Sequence, residues 1–201
     1  MTDRAATKPR SRRRDEILGV AAELFAEKGF EGTTVRDIAD TAGILSGSLY
    51  HHFRSKEQIM EEIFAAYFDE AEARWAAVLA SEADPAEQFR AMLRELLLAV
   101  DRHPGAARIL TNEWARLRGI GNLETRWKDL EHQSRSMIDA AVAAGSFRSD
   151  IEPFYLYSVG MDVVRGFTGW YRRDSRVDIE AVAEAYVSLV FDGLTGPDRP
   201  A

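Results

Sequence analysis

The chain contains no cysteine. That absence removes disulfides, thiolate metal sites and cysteine nucleophiles at once, and it suits a reducing compartment. Long hydrophobic runs are missing too: no apolar stretch approaches the ~20 residues that a membrane-spanning helix needs. The N-terminus is rich in arginine but lacks the apolar stretch of a secretory signal, so a cytoplasmic protein with no membrane partner is expected. Histidine is sparse and scattered, at His51, His52, His103 and His132, and no His/Glu spacing suits a metal. There is no Gly-x-Ser-x-Gly, and Gly119-Ile120-Gly121 lacks both a third glycine and a preceding strand. No metal, cofactor or catalytic residue is expected, and the chain does not read as an enzyme. Sustained apolar/polar alternation, the mark of a half-buried strand, is also absent.

What is present is helical. The 201 residues are 46% hydrophobic, enough for a sizeable core. The net charge of -7 is uneven: Arg4, Lys8, Arg10, Arg12, Arg13 and Arg14 oppose only Asp3 in the first 14 residues, while residues 61–201 carry 16 basic and 24 acidic side chains. A basic arm ahead of an acidic body is a common layout for a DNA-binding segment joined to a regulatory one, and equally a solubilising tail. Both readings stay open.

Apolar periodicity and punctuation predict about nine helices. The first runs from Asp15 with Ile17, Val20, Ala21, Leu24 and Phe25 on one face, and Gly29 stops it. Thr34 with Asp37 forms a capping box for a short second helix that ends near Thr41. A third segment spans about Ser46 to His52. Ser55 and Gln58 form another box and open a long fourth helix, whose face runs through Met60, Phe64, Tyr67, Phe68, Ala71, Trp75, Val78 and Leu79. Further breaks are expected at Asp84-Pro85, His103-Pro104, Gly119 to Gly121 and Gly145. The eighth helix, from Pro153, is apolar around its whole circumference and must be covered on more than one side. The ninth carries Ile179, Val182, Ala183, Tyr186, Val187, Val190, Phe191 and Leu194 at regular i, i+3, i+4, i+7 spacing.

Two short helices around a Gly43 turn, braced by a preceding helix, describe a helix-turn-helix unit with the third helix as the reading element. Ser46, Gly47 and Ser48 are small enough for the backbone to approach DNA, while Leu49 and Phe53 point into the three-helix core. Tyr50, His51, His52 and Lys56 lie where donors meet phosphates. Plainer roles are available: Tyr50 as a packing aromatic, the two histidines as ordinary exposed side chains, and Arg36 as the i,i+4 partner of Asp40.

The stretches "TTVRDIADTAGI" and "GSLYHHFRSKEQI" resemble the N-terminal domain of the TetR family of transcriptional repressors. That resemblance implies an all-α homodimer that binds operator DNA and releases it on binding a small molecule. It divides the chain into a flexible basic arm at 1–14, a helix-turn-helix domain at 15–54 and an effector-binding and dimerisation domain at 55–201. It puts phosphate contacts on Thr34, Tyr50, His52 and Lys56, and base-reading positions on Arg36, Ser46, Gly47, Ser48 and His51. The family often has Ser or Thr where this chain has Leu45, so Ser46 is expected to cap the third helix instead.

The same resemblance assigns the dimer contact to helices eight and nine, and an effector cavity to helices four to eight. Periodicity nominates Phe89, Met92, Leu96, Leu110, Trp114, Trp127, Met161, Val164 and Thr168 for its lining, although plain core packing explains such residues equally well. Arg116, Arg118 and Arg165 are the basic residues nearest to this set in sequence. Gly160, Gly166 and Gly169 permit either a close helix crossing or ligand approach. "ILSGSLYHHF", "NEWARL" and "WYR" are similar to actinobacterial members that control steroid-nucleus breakdown and respond to an acyl-coenzyme A intermediate. The fourth helix is expected to be the one element touching both DNA and cavity. The rival reading is a helical lipid or acyl-CoA carrier that does not bind DNA, which leaves the Ser46 to His52 face without a use.

Overall fold

The structure, a computed structural model, describes residues 12–117, 119–172 and 177–195, without the side chains of 114–116 and 192–195. Among the described residues all regular structure is helical: α1 (Arg12–Lys28), α2 (Val35–Thr41), α3 (Ser46–His52), α4 (Lys56–Leu79), α5 (Pro85–Arg102), α6 (Pro104–Leu117), α7 (Leu123–Ala143), α8 (Pro153–Trp170) and α9 (Ile179–Thr195).

Local chemistry sets these boundaries. Thr34 and Asp37 form the expected reciprocal box, in which Asp37 N donates to Thr34 Oγ1 at 3.1 Å and Thr34 N to Asp37 Oδ2 at 2.8 Å. At α5 the carboxylate of Asp84 accepts from Ala86 N and Glu87 N, and Pro85 occupies the first turn, where no N–H is needed. Gly29 closes α1 at φ 77, a left-handed conformation that costs glycine little. At α4 the Ser55 hydroxyl accepts from Gln58 N, but Gln58 Oε1 reaches back to Arg54 N at 2.7 Å rather than to the cap residue.

Helices α1 to α3 pack around Ile17, Ala21, Phe25, Ile38, Leu49 and Phe53, all essentially inaccessible to water. Full burial of each large apolar side chain stabilises by roughly 1.5–3 kcal/mol. This small core continues into α4 through Ile59, Met60 and Phe64. Helix α5 is the post of the larger bundle, in contact with α4, α6, α7, α8 and α9.

Two expectations change here. The arm was assigned to residues 1–14, yet α1 begins at Arg12, and residues 1–11 lie outside the described residues. Arg13 donates to Ala42 O at 2.7 Å. Arg14 pairs with Glu62, donates to His52 O and stacks 4.2 Å above the Phe53 ring. Both are spent on holding α1 against the helix-turn-helix. The second change concerns α9. Its regular stripe faces its own chain: Ala183 and Val187 are fully buried in a cluster with Leu93, Leu97 and Phe167. A complete apolar stripe was satisfied by α5 and α8, so it carries no information about a partner.

Candidate nucleic-acid interface and effector cavity

Gly43 turns the chain between α2 and α3 at φ 65, and Ile44 N closes the turn on Ala39 O at 3.0 Å. With Leu49 and Phe53 buried, α3 must present its other side outward. Gly47, Ser48, Tyr50 and His51 are exposed there, Tyr50 at 57%, and Ser46 and His52 are half-buried. Arg36 stands alongside on α2, its side chain 84% exposed and its Nε 3.6 Å from Asp40. Thr34 is exposed at the start of α2, with its hydroxyl engaged in the cap. Helices α2 and α3, which carry or adjoin these residues, are in contact with each other.

Two details depart from the sequence reading. Ser46 does not cap α3: the N-cap is Leu45, which supplies no side-chain bond, and Ser46 is the first helical residue. A cap needs extended backbone, and here Leu45 holds that conformation at φ -69, ψ 141. Lys56 is not a free cation either. Its Nζ donates to Phe30 O at 2.7 Å, sits 4.3 Å above the Phe30 ring and lies 3.9 Å from Glu31. It ties α4 to the loop before α2.

A cavity of about 660 Å³ opens in the larger bundle, with Leu96, Leu110, Trp127, Met161, Val164, Arg165 and Thr168 in its wall beside Tyr67, Thr111, Glu131 and Tyr157. Phe89 and Met92 do not line it. Both are buried in the core, where Phe89 meets Phe147 edge-to-face at 5.8 Å and lies 3.5 Å from where a Cβ on Gly160 would sit. Gly160 therefore serves packing within the chain. The side chains of Trp114 and Arg116, and all of Arg118, lie outside the described residues. Phe154, Asp162 and Arg165 are the exposed part of the wall and mark the mouth. Arg165 pairs with Asp162 there at 2.7 Å. Burial pushes the phenol of Tyr67 up to about 12, and burial with the Glu131 carboxylate raises that of Tyr157 as well, so both stay protonated as hydrogen-bond donors.

Helix α4 is not alone in reaching both regions. Ala107, Leu110 and Thr111 put α6 in the cavity wall, while the other side of α6 rests on α1. Arg108 pairs with Glu23, and a Cβ at Gly105 would come within 2.6 Å of the Ala22 Cβ. Glycine is required there because the two helices touch.

Residues 17–63 match the bacterial regulatory proteins of the tetR family, and residues 82–194 match the tetracyclin repressor-like C-terminal domain. The chain belongs to the TetR family. It is a helix-turn-helix transcriptional regulator, and it is 38% identical over 197 residues to the transcriptional repressor KstR2 of Rhodococcus jostii, covering 95% of each chain. The structure of the ketosteroid transcriptional regulator KstR2 of Mycobacterium tuberculosis superposes with a TM-score of 0.87 at 34% identity, over 96% of this chain and all of that one. AibR in complex with isovaleryl coenzyme A and operator DNA aligns with a TM-score of 0.75 at 28% identity, over 89% of this chain and 98% of the other. No described helix is long and apolar enough to cross a membrane.

Beside these candidates, two exposed residues were passed over by sequence reasoning. Leu45 is 81% exposed at the start of α3 and was noticed only as a missing cap. Arg54 is exposed in the turn before α4, and its guanidinium has no ion pair or hydrogen bond among the described residues. An exposed leucine at the head of a reading helix was the available signal for the first. For the second there was none, since Arg54 and Lys56 are equivalent as letters and differ only in what surrounds them.

Proposed function

We propose that this regulator is a homodimeric repressor that sets its two α3 helices in successive major grooves of a palindromic operator and leaves it when an acyl-coenzyme A fills the cavity. Ser46, Gly47, Ser48 and His51 with Arg36 face the base edges. Thr34, Tyr50 and His52 meet phosphates, and Arg54 takes the phosphate role first assigned to Lys56. Leu45 adds an apolar contact suited to a thymine methyl. Residues 55–195 form the effector and dimer part. The dimer face uses the outward side of α8 and α9, where Tyr155, Val159, Trp170 and Leu189 are exposed together with Gly166.

The acyl part enters the cavity, whose size suits a compact polycyclic body, and the nucleotide stays outside past Arg165. The KstR2 relatives and the AibR complex with its coenzyme A thioester support a steroid-derived thioester as first choice. The observation that carries the mechanism is that α6 lines the cavity and is also pinned to α1. A ligand that displaces α6 or the cavity segment of α4 tilts the stiff three-helix unit and alters the spacing of the two α3 helices, which must be about 34–36 Å or a multiple.

By linkage, the ligand weakens DNA binding only as far as it prefers the DNA-incompetent form, and operator weakens ligand binding by the same factor. The test is the affinity for a steroid-derived acyl-coenzyme A, and for isovaleryl-coenzyme A, with and without saturating operator. A ratio well above one is expected for the effector; equal affinities refute the mechanism.

A further inference from the structure

A second cleft, of about 270 Å³, lies where α1, α4 and the corner between α5 and α6 meet. Small residues on three helices leave the space: Gly19 and Ala22 on α1, Ala66 on α4, Gly105 and Ala106 on α6. It shares no lining residue with the effector cavity, and Ala106 and Ala107 divide the two, the first lining the cleft and the second the cavity. The floor is apolar. Leu18, Ala22, Ile63 and Ala106 are buried there, whereas Asp15 and Glu23 are exposed and mark the rim.

Charge in the wall is unbalanced by one carboxylate. Glu23 is committed to Arg108, and Glu62 to Arg14. The cationic lining is committed as well: Arg102 is held by Glu70 and Glu95, and His103 Nε2 lies 2.7 Å from Glu70. Asp15 has no hydrogen bond or ion pair among the described residues, because Arg12 and Arg13 in the same turn pair with Glu16 instead. Paired charges largely cancel at a distance, so the cleft offers a free carboxylate at the edge of an apolar floor.

We infer that this cleft is a second ligand site, and that it takes a small organic cation, a protonated amine on a hydrocarbon body. The body covers Leu18, Ala22, Ile63 and Ala106, while the ammonium group stays at the rim beside Asp15. The volume lies below that of pockets for drug-sized ligands, which limits the body to about one ring with a short chain. A polyanionic coenzyme A thioester is turned away by three carboxylates, so the site is independent of the effector reading above. An occupant touches α1, α4 and α6 together, at the seam where a Cβ on Gly105 would meet Ala22.

The probes are 2-phenylethylammonium and 2-phenylethanol, matched in shape and differing in charge at pH 7. Alanine methyl resonances are followed in the 13C-methyl-labelled full-length protein, and dissociation constants are measured for both compounds. The ring current of the ammonium probe should shift Ala22, Ala66 and Ala106 and leave Ala107 in place. The ammonium is expected to bind about 2- to 5-fold more tightly than the alcohol at low salt, as one exposed charge pair allows, and added salt should shrink the preference. Asp15→Asn, a change at an exposed position, should abolish it. Equal binding of the two probes would overturn the assignment of a cation. A shift at Ala107 alone would place the probe in the effector cavity, and no shift at any alanine would leave the cleft without a ligand; either result overturns the inference.

Discussion

At the turn between α3 and α4, two cations two positions apart are held very differently. Lys56 is 18% exposed and bonded to Phe30 O, so its charge stabilises the join between α4 and the loop before α2. Lys56→Ala is expected to lower stability by about 1.5–3 kcal/mol, the range for a hydrogen bond from a charged group, and to leave the salt dependence of operator binding unchanged. Arg54→Ala should do the reverse, with unchanged thermal unfolding and a salt slope shallower by about one counterion per chain. Titrations at several salt concentrations separate the two, and a flattened slope for Lys56→Ala would reverse the assignment. Leu45→Ala should cost about 1 kcal/mol on an operator with thymine at the contacted position and nothing on random duplex. Equal losses on both would remove Leu45 from the reading surface. The sequence made the outward set on α3 legible, because burying Leu49 and Phe53 fixes the rest of a seven-residue helix. It did not reveal the fates of Lys56, Arg13 and Arg14, whose partners are backbone carbonyls and carboxylates 26 to 48 residues away.

The order and extent of the helices were readable because caps and breakers act locally: Thr34-Asp37, Asp84-Pro85 and His103-Pro104 set boundaries through contacts within a few residues. How helices pair is not local. The α1–α6 seam joins Ala22 to Gly105 and Glu23 to Arg108, and no periodicity announces it. Gly105→Ala puts a methyl group against the Ala22 backbone and side chain, which forces α6 off α1. Operator affinity should fall, and the ratio of effector affinities without and with operator should move towards one; an unchanged ratio would leave α4 as the sole relay. Beside this seam, α4 and α5 are joined by Glu70 and Glu95, which share Arg74 and Arg102, with His103 Nε2 2.7 Å from Glu70. Burial works against the charge on Glu70, but His103, Arg74 and Arg102 outweigh it and hold its carboxyl below 4.5. A depressed carboxyl stabilises the fold above its unfolded value and loses that contribution as pH falls through the folded one. Glu70→Gln should therefore cost about 1 kcal/mol at pH 7. Wild type and variant should converge in unfolding experiments as pH falls below the ordinary carboxylate range. A gap that persists in acid would mean the loss comes from packing.

For the whole molecule, the proposed mechanism requires two copies to hold their reading helices at a fixed separation. The face that achieves this is the hardest feature to read from sequence, since an apolar helix looks the same whether its own chain or a partner covers it. The regular stripe of α9 illustrates the difficulty, because Val187 is fully buried against α5 and α8. Exposure distinguishes what sequence cannot. Val159 is 52% exposed and Leu189 76%, although both are aliphatic and each sits on a long helix with ample polar alternatives. A glutamate at either position costs a folded monomer little, yet in a dimer it buries a charge against an apolar partner surface, which is strongly unfavourable. Val159→Glu and Leu189→Glu are therefore expected to give folded monomers by sedimentation, with helical content and melting close to wild type. Val187→Glu should unfold the effector part instead. The monomers should still bind a half-site weakly and should lose the tight binding to a palindrome, because a two-fold operator rewards only a protein that presents both α3 helices at once. Folded variants that remain dimeric and keep full affinity for the palindrome would move the dimer contact away from this side of α8 and α9.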